Sequence, residues 1–325
     1  EFKNLKVVNG RQTTKAFEKN VTKLTDDVLV KIIIHEAVDK QERNLISETT
    51  NTQNPVKPVD LVSDNDLLWD LVQQCKIDFN DFWFDRQTKG YTNNATSSIK
   101  TRVTPYRLML KEPTARAYYA YNISPYEAMK LSEQEMFSAA NTTYFDKVFK
   151  GRKIRDLIIP HIFMKCIAAL IDKWRGEVLS GDLTNQRDWE IIRKKIVMYY
   201  ILYFIHDVLH KMSPGDENKV EEKIIEDFRK LGKKSQLPHE FVDIVKVALY
   251  QFNIAYNANK KIMWPRDDSG QLKEPSHFEI EKMLKGGKRG SIEGKDIPKQ
   301  LISDFHDHVK SHGNPINDAI VKAWI

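Results

Sequence analysis

The second half of the chain is a succession of long amphipathic segments. Apolar residues recur there every three to four positions, the spacing that lines one face of an α-helix. Proline, glycine and serine separate the segments, as at Ser213-Pro214-Gly215. The pattern predicts an α-helical bundle over residues 151–325. Its predicted helices are Leu157–Trp174, Asp188–Lys211, Glu217–Leu231 and Pro238–Met263, with shorter ones at Phe278–Leu284 and Pro298–His308.

Residues 63–150 predict a helical continuation with a loop-rich connector. Asp64–Cys75 is amphipathic, whereas residues 85–104 are polar and rich in glycine and asparagine, which indicates a connector with a short hairpin. Pro105 is predicted to start a helix that runs through Leu110. Residues with N-cap chemistry mark three helix starts: Asp64 or Asn65, Ser124 before Pro125, and Ser132 with Glu135 at capping-box spacing.

The N-terminal 62 residues have a different pattern. An apolar strand, Leu5–Val8, precedes Asn9-Gly10, and a helix is predicted to begin near Lys15. Val28–Ile34 is a continuous β-branched run typical of a buried strand, and a helix follows over Asp39–Ser47. The fold class predicted for the whole chain is therefore α+β: a small α/β unit at residues 1–62, followed by mainly helical structure over 63–150 and 151–325.

The turn after the first strand has the chemistry of an anion site. Asn9 and Gly10 tolerate positive φ, and Thr13 or Thr14 can cap the helix that follows. Free backbone N–H groups and the positive helix end then face outward, which favours a phosphate. A tight turn that only connects two elements explains the same spacing. The residues predicted to bind a phosphate, a nucleotide or nucleic acid are Asn9, Gly10, Arg11, Gln12, Thr13, Thr14, Asn51 and Gln53.

Three ordered blocks resemble the AIPR family, the abortive infection phage resistance proteins. They are Leu5–Thr14, Val28–Ile33 and Thr50–Val56, similar to the family's V-N-G-x-Q-T, V-x-V-K-I-I and T-N-[ST]-Q blocks. A D-L segment follows the third block, here Asp60-Leu61, and a looser likeness continues to about Gly151. The resemblance implies a bacterial protein of anti-phage defence.

The same family often has a region that looks like a PD-(D/E)xK nuclease upstream. This chain opens on Glu1, three residues before an apolar strand, so we expect it to be the C-terminal portion of a longer protein, whose upstream sequence can complete the α/β unit. The sequence has no strand-borne Asp followed by a Glu-x-Lys strand, no Gly-x-Ser-x-Gly elbow and no Walker phosphate loop. Whether the protein is an enzyme is left open. Mg²⁺ is an expectation only for an upstream nuclease.

Residues 5–60 also resemble, more distantly, the ParB and sulfiredoxin domains. In those domains a Gly-led arginine motif binds nucleotide phosphates, and by position Gly10, Arg11, Gln12, Asn51 and Gln53 correspond. The paired arginines are absent, because Gln12 follows Arg11. The likeness implies a nucleotide as the cofactor candidate without implying its hydrolysis.

The charge of the chain adds a modest preference for acidic partners. The composition is ordinary for a globular protein, with 41% hydrophobic and 30% charged residues, but the formal charge is +6 and the pI near 9.0. Trp83 and Arg86 lie in a stretch of alternating aromatic and basic residues that suits base stacking, and Lys288-Arg289 belongs to a flexible basic loop. These four are predicted nucleic-acid contacts. The alternatives are hydrophobic anchors for the connector and a solvated loop.

Cysteine and histidine positions indicate neither a disulfide framework nor a metal site. Cys75 and Cys166 are far apart and lack partners at zinc-finger spacing, which fits a reducing cytoplasm. His206 and His210 are spaced i and i+4 on one helix face, yet no third ligand is evident. Ile196–Ile205 is too short to span a bilayer and is predicted to be a buried helix.

Together these features predict the regulatory or nucleic-acid-engaging portion of an anti-phage effector, in which cutting activity belongs to an upstream region or a partner. Nucleic acid, other defence subunits and a second copy of the chain are the expected partners, and a membrane is not. Two alternatives stay open, a non-catalytic assembly module that binds a partner protein and an NTP-binding sensor.

Overall fold

The computed structural model describes most of the chain from residue 60 onward. The described stretches are 60, 62–63, 65–87, 89–138, 141–178, 195–211, 214–231, 237–263, 268–271 and 297–324, together with residues 15, 18–20, 36, 39, 41–42, 46, 279 and 284. The predicted phosphate-binding residues 9–14, 51 and 53 lie outside this part, as do Lys288 and Arg289. The ParB/sulfiredoxin-like unit therefore stays a prediction.

The described part is mainly α-helical and contains a small two-stranded parallel sheet. The strands are β1 Trp83–Asp85 and β2 Leu108–Leu110. The helices in chain order are α1 Asp66–Asp78, α2 Gly90–Asn94, α3 Ser97–Arg102, α4 Lys111–Asn122, α5 Pro125–Lys130, α6 Glu133–Met136, α7 Thr143–Phe149, α8 Ile154–Val178, α9 Lys195–Leu209, α10 Pro214–Lys230, α11 His239–Met263, α12 Ile297–His312 and α13 Pro315–Trp324.

The sheet corrects the prediction for the connector. β1 and β2 pair in parallel, with Phe84 opposite Met109, so residues 86–107 form a crossover that contains α2 and α3. A hairpin would have paired neighbouring strands in antiparallel fashion. The helix predicted from Pro105 is also wrong, because Pro105–Arg107 is a single 3-10 turn that leads directly into β2.

The three helix starts predicted from N-cap residues are confirmed. The side chain of Asn65 accepts a hydrogen bond from the backbone N–H of Leu67 at 2.9 Å, and Ser124 accepts one from Glu127 at 3.2 Å. Ser132 and Glu135 form the full capping box, in which each side chain accepts from the other residue's backbone N–H. These caps satisfy N–H groups that a helix leaves without an internal partner.

The four long predicted helices are present as α8, α9, α10 and α11. The residues of α9 from Ile196 to Ile205 are almost all buried, as their continuous apolar character predicts. Among the described helices, none has the length and apolarity that a bilayer crossing requires.

One apolar core runs from Val62 to Ile320 and joins the helices on both sides of residue 150. Helix α4 packs against α5, α8 and α9, while α12 packs against α11. The rings of Phe204 and Phe305 stack with their centroids 3.9 Å apart, which fixes α12 against α9. The C-terminal helices are thus part of the core.

Arg107 connects the strand region to the end of α10. Its guanidinium is buried and donates hydrogen bonds to the carbonyl oxygens of Leu231, at 2.7 Å, and of Arg229. Asp81 lies 3.6 Å from the same group. Burial lowers the pKa of Arg107, and the nearby Asp81 opposes that effect. The arginine therefore caps a helix that lies more than a hundred residues away in sequence.

Candidate functional site

The carboxyl ends of the two parallel strands bring buried charges together. Asp85 is the last residue of β1, and Lys111 directly follows β2 as the first residue of α4. Their exposed fractions are 5% and 3%. Ligand sites of parallel α/β sheets lie outside this end of the strands. We call Ser63, Asp85, Arg86 and Lys111 the strand-end cluster.

Lys111 is held by a hydroxyl group from the turn before α1. Its Nζ donates a hydrogen bond to Ser63 Oγ at 3.1 Å, and Ser63 Oγ donates to the Arg86 carbonyl oxygen at 2.9 Å. Burial lowers the pKa of Lys111 to about 8; Asp60 and Asp85 oppose this change, whereas Arg86 adds to it. The ammonium group is therefore less strongly protonated than an exposed lysine.

Asp85 closes the turn between β1 and α2. Its carboxylate accepts a hydrogen bond from the backbone N–H of Tyr91 at 3.0 Å. Burial raises the pKa of Asp85, and this hydrogen bond opposes the rise. A Cβ at Gly90 would overlap Asp85 Oδ1, so a larger residue there would displace the carboxylate from this position.

Arg86 and Trp69 form a cation–π pair at the edge of the strand-end cluster. The guanidinium carbon lies 3.6 Å from the centroid of the Trp69 ring, and Arg86 also donates a hydrogen bond to the Ser63 carbonyl oxygen. Trp69 keeps 39% of its surface exposed. We call this pair the Trp69–Arg86 platform. The guanidinium covers one face of the ring, so a base would contact the exposed remainder of the indole, close to a fixed positive charge that suits its phosphate.

The structure describes two of the four residues predicted to contact nucleic acid, Trp83 and Arg86. The Trp83 ring is half-buried and packs edge-on against Tyr91, with centroids 5.6 Å apart. Tyr91 is fixed in turn by donating a hydrogen bond to the Val103 carbonyl oxygen at 3.3 Å. Trp83 therefore supports the crossover, while the half-buried Arg86 belongs to the Trp69–Arg86 platform.

Sequence reasoning missed Trp69, Ser63 and Lys111. Trp69 lies on the helix predicted from Asp64. Its position in that helix does not distinguish it, as a candidate binding residue, from the other residues of the helix. Lys111 directly follows the apolar residues Leu108–Leu110 of β2. A three-residue apolar run is too short to predict a strand, so the sequence does not mark Lys111 as a strand-end residue. Forty-eight residues separate Ser63 from Lys111, and no local pattern connects them.

His206 lies on α9 and His210 directly follows the last residue of that helix, where its backbone N–H still donates to the His206 carbonyl oxygen at 2.8 Å. Their ring centroids are 5.4 Å apart, and the His206 ring packs 4.5 Å from that of Tyr121. Burial lowers the pKa of His206 to about 4, and neighbouring His210 lowers it further while Asp207 opposes the change. Within the described residues, no three His, Cys, Asp or Glu side chains are placed to hold a metal ion.

The fold and the strand-end cluster define a mainly helical protein with a small parallel sheet and a cationic aromatic surface beside it. The chain belongs to the AIPR family, because the family model described as AIPR protein matches residues 1–260. This membership supports a role in bacterial abortive-infection defence against phage. Comparison with the curated proteins gave no match, and neither did comparison with the solved structures. Helices α12 and α13 lie beyond the matched residues.

Proposed function

We propose that this chain is the nucleic-acid-engaging portion of an anti-phage effector and that it contacts unpaired bases through the Trp69–Arg86 platform. The observation that supports the proposal is the guanidinium of Arg86 fixed 3.6 Å above an exposed tryptophan ring. The predicted motif at residues 9–14, with Asn51 and Gln53, would add a phosphate contact. Strand cleavage is assigned to another segment or to a partner subunit.

The chemistry of the platform favours single strands or strand ends. Every base has a flat π-face, whereas in a duplex these faces are covered by neighbouring base pairs. Stacking of one base on an aromatic side chain contributes about 1–3 kcal/mol. The cation held over the other face of the ring adds attraction to the phosphate, and the net charge of +6 favours approach of a polyanion.

The test is binding of a fluorescein-labelled 20-nucleotide oligo-dT and of the matching oligo-U. Trp69→Ala is expected to weaken binding about tenfold, because it removes one stacking contact. The matched control is Tyr250→Ala, which removes a ring that is 64% exposed on α11, away from the strand-end cluster. The affinity of that control is expected to equal that of the wild type.

Arg86→Gln separates charge from stacking. It keeps a polar side chain near Trp69 but loses the positive charge, so binding is expected to weaken and its dependence on salt concentration to become shallower. Circular dichroism checks that the loss of the Ser63 contact leaves the helices intact. The proposal is wrong if Trp69→Ala binds both oligonucleotides as tightly as the wild type, or if the wild type binds neither.

A further inference from the structure

The crossover from β1 to β2 concentrates positive charge. Residues 86–107 contain five lysines and arginines but no aspartate or glutamate, whereas the whole chain has 51 basic and 45 acidic residues. Two of the five are held by the fold, since Arg86 packs on Trp69 and Arg107 is buried at the end of α10. The other three are exposed to solvent: Lys89, Lys100 and Arg102.

Neighbouring side chains do not neutralise these three exposed charges. In the described part of the chain, no Asp or Glu carboxylate lies within 4.0 Å of Lys89, Lys100 or Arg102. Other exposed lysines pair with an aspartate about one helical turn away, as Lys150 does at 3.7 Å and Lys219 at 3.5 Å. The crossover therefore presents a positive field that attracts anions.

A hydrogen bond holds Lys100 against α2. Lys100 belongs to α3, and its Nζ donates to the carbonyl oxygen of Thr92 in α2 at 3.2 Å. A lysine ammonium has three donors, so two N–H groups stay available for a ligand. The hydrogen bond also restricts a flexible side chain before a ligand arrives, which lowers the entropic cost of binding.

Lys89 lies at the start of α2, next to the Trp69–Arg86 platform. Three residues separate it from Arg86, so the two backbones lie at most about 11 Å apart. The Lys89 carbonyl oxygen accepts a hydrogen bond from the Asn93 N–H at 3.0 Å, which places Lys89 in the same helical turn as Thr92. The platform, Lys89 and the Lys100 ammonium group are therefore close together on the surface.

Arg102 lies on a different side of α3. It is the last residue of that helix and follows Lys100 by two positions. Side chains two residues apart on a helix point in nearly opposite directions. Because Lys100 reaches towards α2, Arg102 is directed away from α2. Arg102 therefore matches Lys100 in charge and exposure without sharing its position.

We propose that α2, together with Lys89 and Lys100, binds the backbone of a single-stranded nucleic acid. One base of the strand would contact the exposed part of the Trp69 ring, and successive phosphates would contact the two ammonium groups. The exposed amides of Asn93 and Asn94 provide further donors for phosphates and sugars. This inference deepens the proposed function and rests on it, because the strand is the one that the Trp69–Arg86 platform would contact.

The experiment measures how the affinity for the labelled oligo-dT and oligo-U depends on salt concentration. Lys89→Gln combined with Lys100→Gln is expected to make the slope of log affinity against log salt shallower by about 1.4, because each phosphate contact to a single strand contributes about 0.7. At about 0.1 M salt this double variant is expected to bind about twentyfold more weakly. Circular dichroism checks that its helices stay intact.

The matched control is Arg102→Gln combined with Lys310→Gln. It removes the same amount of charge from two exposed residues, one on the far side of α3 and one on α12. The control is expected to keep the wild-type slope. A shallower slope in the Lys89 and Lys100 variant alone supports the inference, and equal slopes of the two double variants overturn it.

The stacking and phosphate contacts fail in distinguishable ways. Trp69→Ala removes no charge, so it is expected to weaken binding at an unchanged salt slope. Weaker binding of Trp69→Ala beside a wild-type slope of the Lys89 and Lys100 variant would contradict the phosphate contacts alone. A shallower slope of that variant beside an unchanged affinity of Trp69→Ala would contradict the platform alone.

Discussion

The ammonium group of Lys111 is buried in the folded protein. Removing that group from water costs free energy, and the hydrogen bond to Ser63 with the nearby carboxylates of Asp60 and Asp85 offsets only part of the cost. The net result is a pKa of about 8, below the ordinary 10.5. Such a lysine connects the turn before α1 to the strand ends at the expense of stability.

This burial makes the stability of the protein depend on alkaline pH. Between pH 8 and pH 10.5 the unfolded chain keeps a proton on Lys111 that the folded chain has lost, so through this group the free energy of unfolding rises with pH. Below pH 8 the cost is fully present. Lys111→Met removes this dependence. The difference in unfolding free energy, wild type minus variant, is expected to rise by up to about 3 kcal/mol across the window.

Urea unfolding at several pH values measures that difference. Lys76→Met, which changes an exposed lysine on α1, is the control and is expected to follow the wild-type profile. A wild-type minus Lys111→Met difference that stays constant from pH 8 to pH 10.5 would show that the buried amine titrates as an exposed one does.

The strand-end cluster shows which residues of a candidate site can be recognised from the sequence alone. Arg86 was predicted as a nucleic-acid contact because aromatic and basic residues alternate around it, and this signal is local. Trp69 and Ser63 belong to the same surface only because α1 and its preceding turn pack beside β1. A pattern within one segment does not predict which other segment packs beside it, so the contacts of Trp69 and Ser63 with Arg86 follow only from the fold.

The helices were predictable and the strands were not, for a physical reason. Long helices repeat their apolar spacing over several turns, and α8, α9, α10 and α11 all appear where that spacing predicts them. β1 and β2 have three residues each, too few to show an alternating pattern. The two strands pair in parallel, with the whole crossover between them in sequence. No local turn brings them together, so their pairing depends on how the helices pack.

Arg107 provides a test of how the strand region and α10 depend on each other. Arg107→Met keeps the length of the side chain but leaves two carbonyl oxygens at the end of α10 and the Asp81 carboxylate without this donor. We expect the free energy of unfolding to fall by about 3 kcal/mol. Chemical denaturation followed by circular dichroism measures the change.

The control for that substitution is Arg102→Met, an exposed arginine at the end of α3. It is expected to change stability by less than about 0.5 kcal/mol. If both variants lower the free energy of unfolding by the same amount, the buried Arg107 stabilises the fold no more than an exposed arginine does.

The whole molecule is built around a core that extends past the family match. Phe305 on α12 stacks on Phe204 of α9, and α12 also packs along α11. The match to the AIPR family ends at residue 260, yet the apolar core continues to Ile320. In the described part of the chain, the C-terminal helices are therefore integral to the fold.

Truncation of the Phe305 ring tests this unity. Phe305→Ala leaves a cavity between α9 and α12 and is expected to lower the free energy of unfolding by about 3–5 kcal/mol. Lys310→Ala on the exposed side of α12 is expected to have little effect. Calorimetry of the wild type is expected to show one cooperative transition over the helices. A separate early transition that Phe305→Ala alone shifts would mean that α12 and α13 unfold independently.

The low pKa of Lys111 also has a kinetic consequence. Above pH 8 its amine is neutral and therefore nucleophilic, but the surrounding side chains exclude an acylating reagent from it. Acetylation then requires the residues that cover this amine, among them Ser63 and Phe137, to move away from it. The rate of acetylation of Lys111, measured by mass spectrometry, would report how often this part of the core opens.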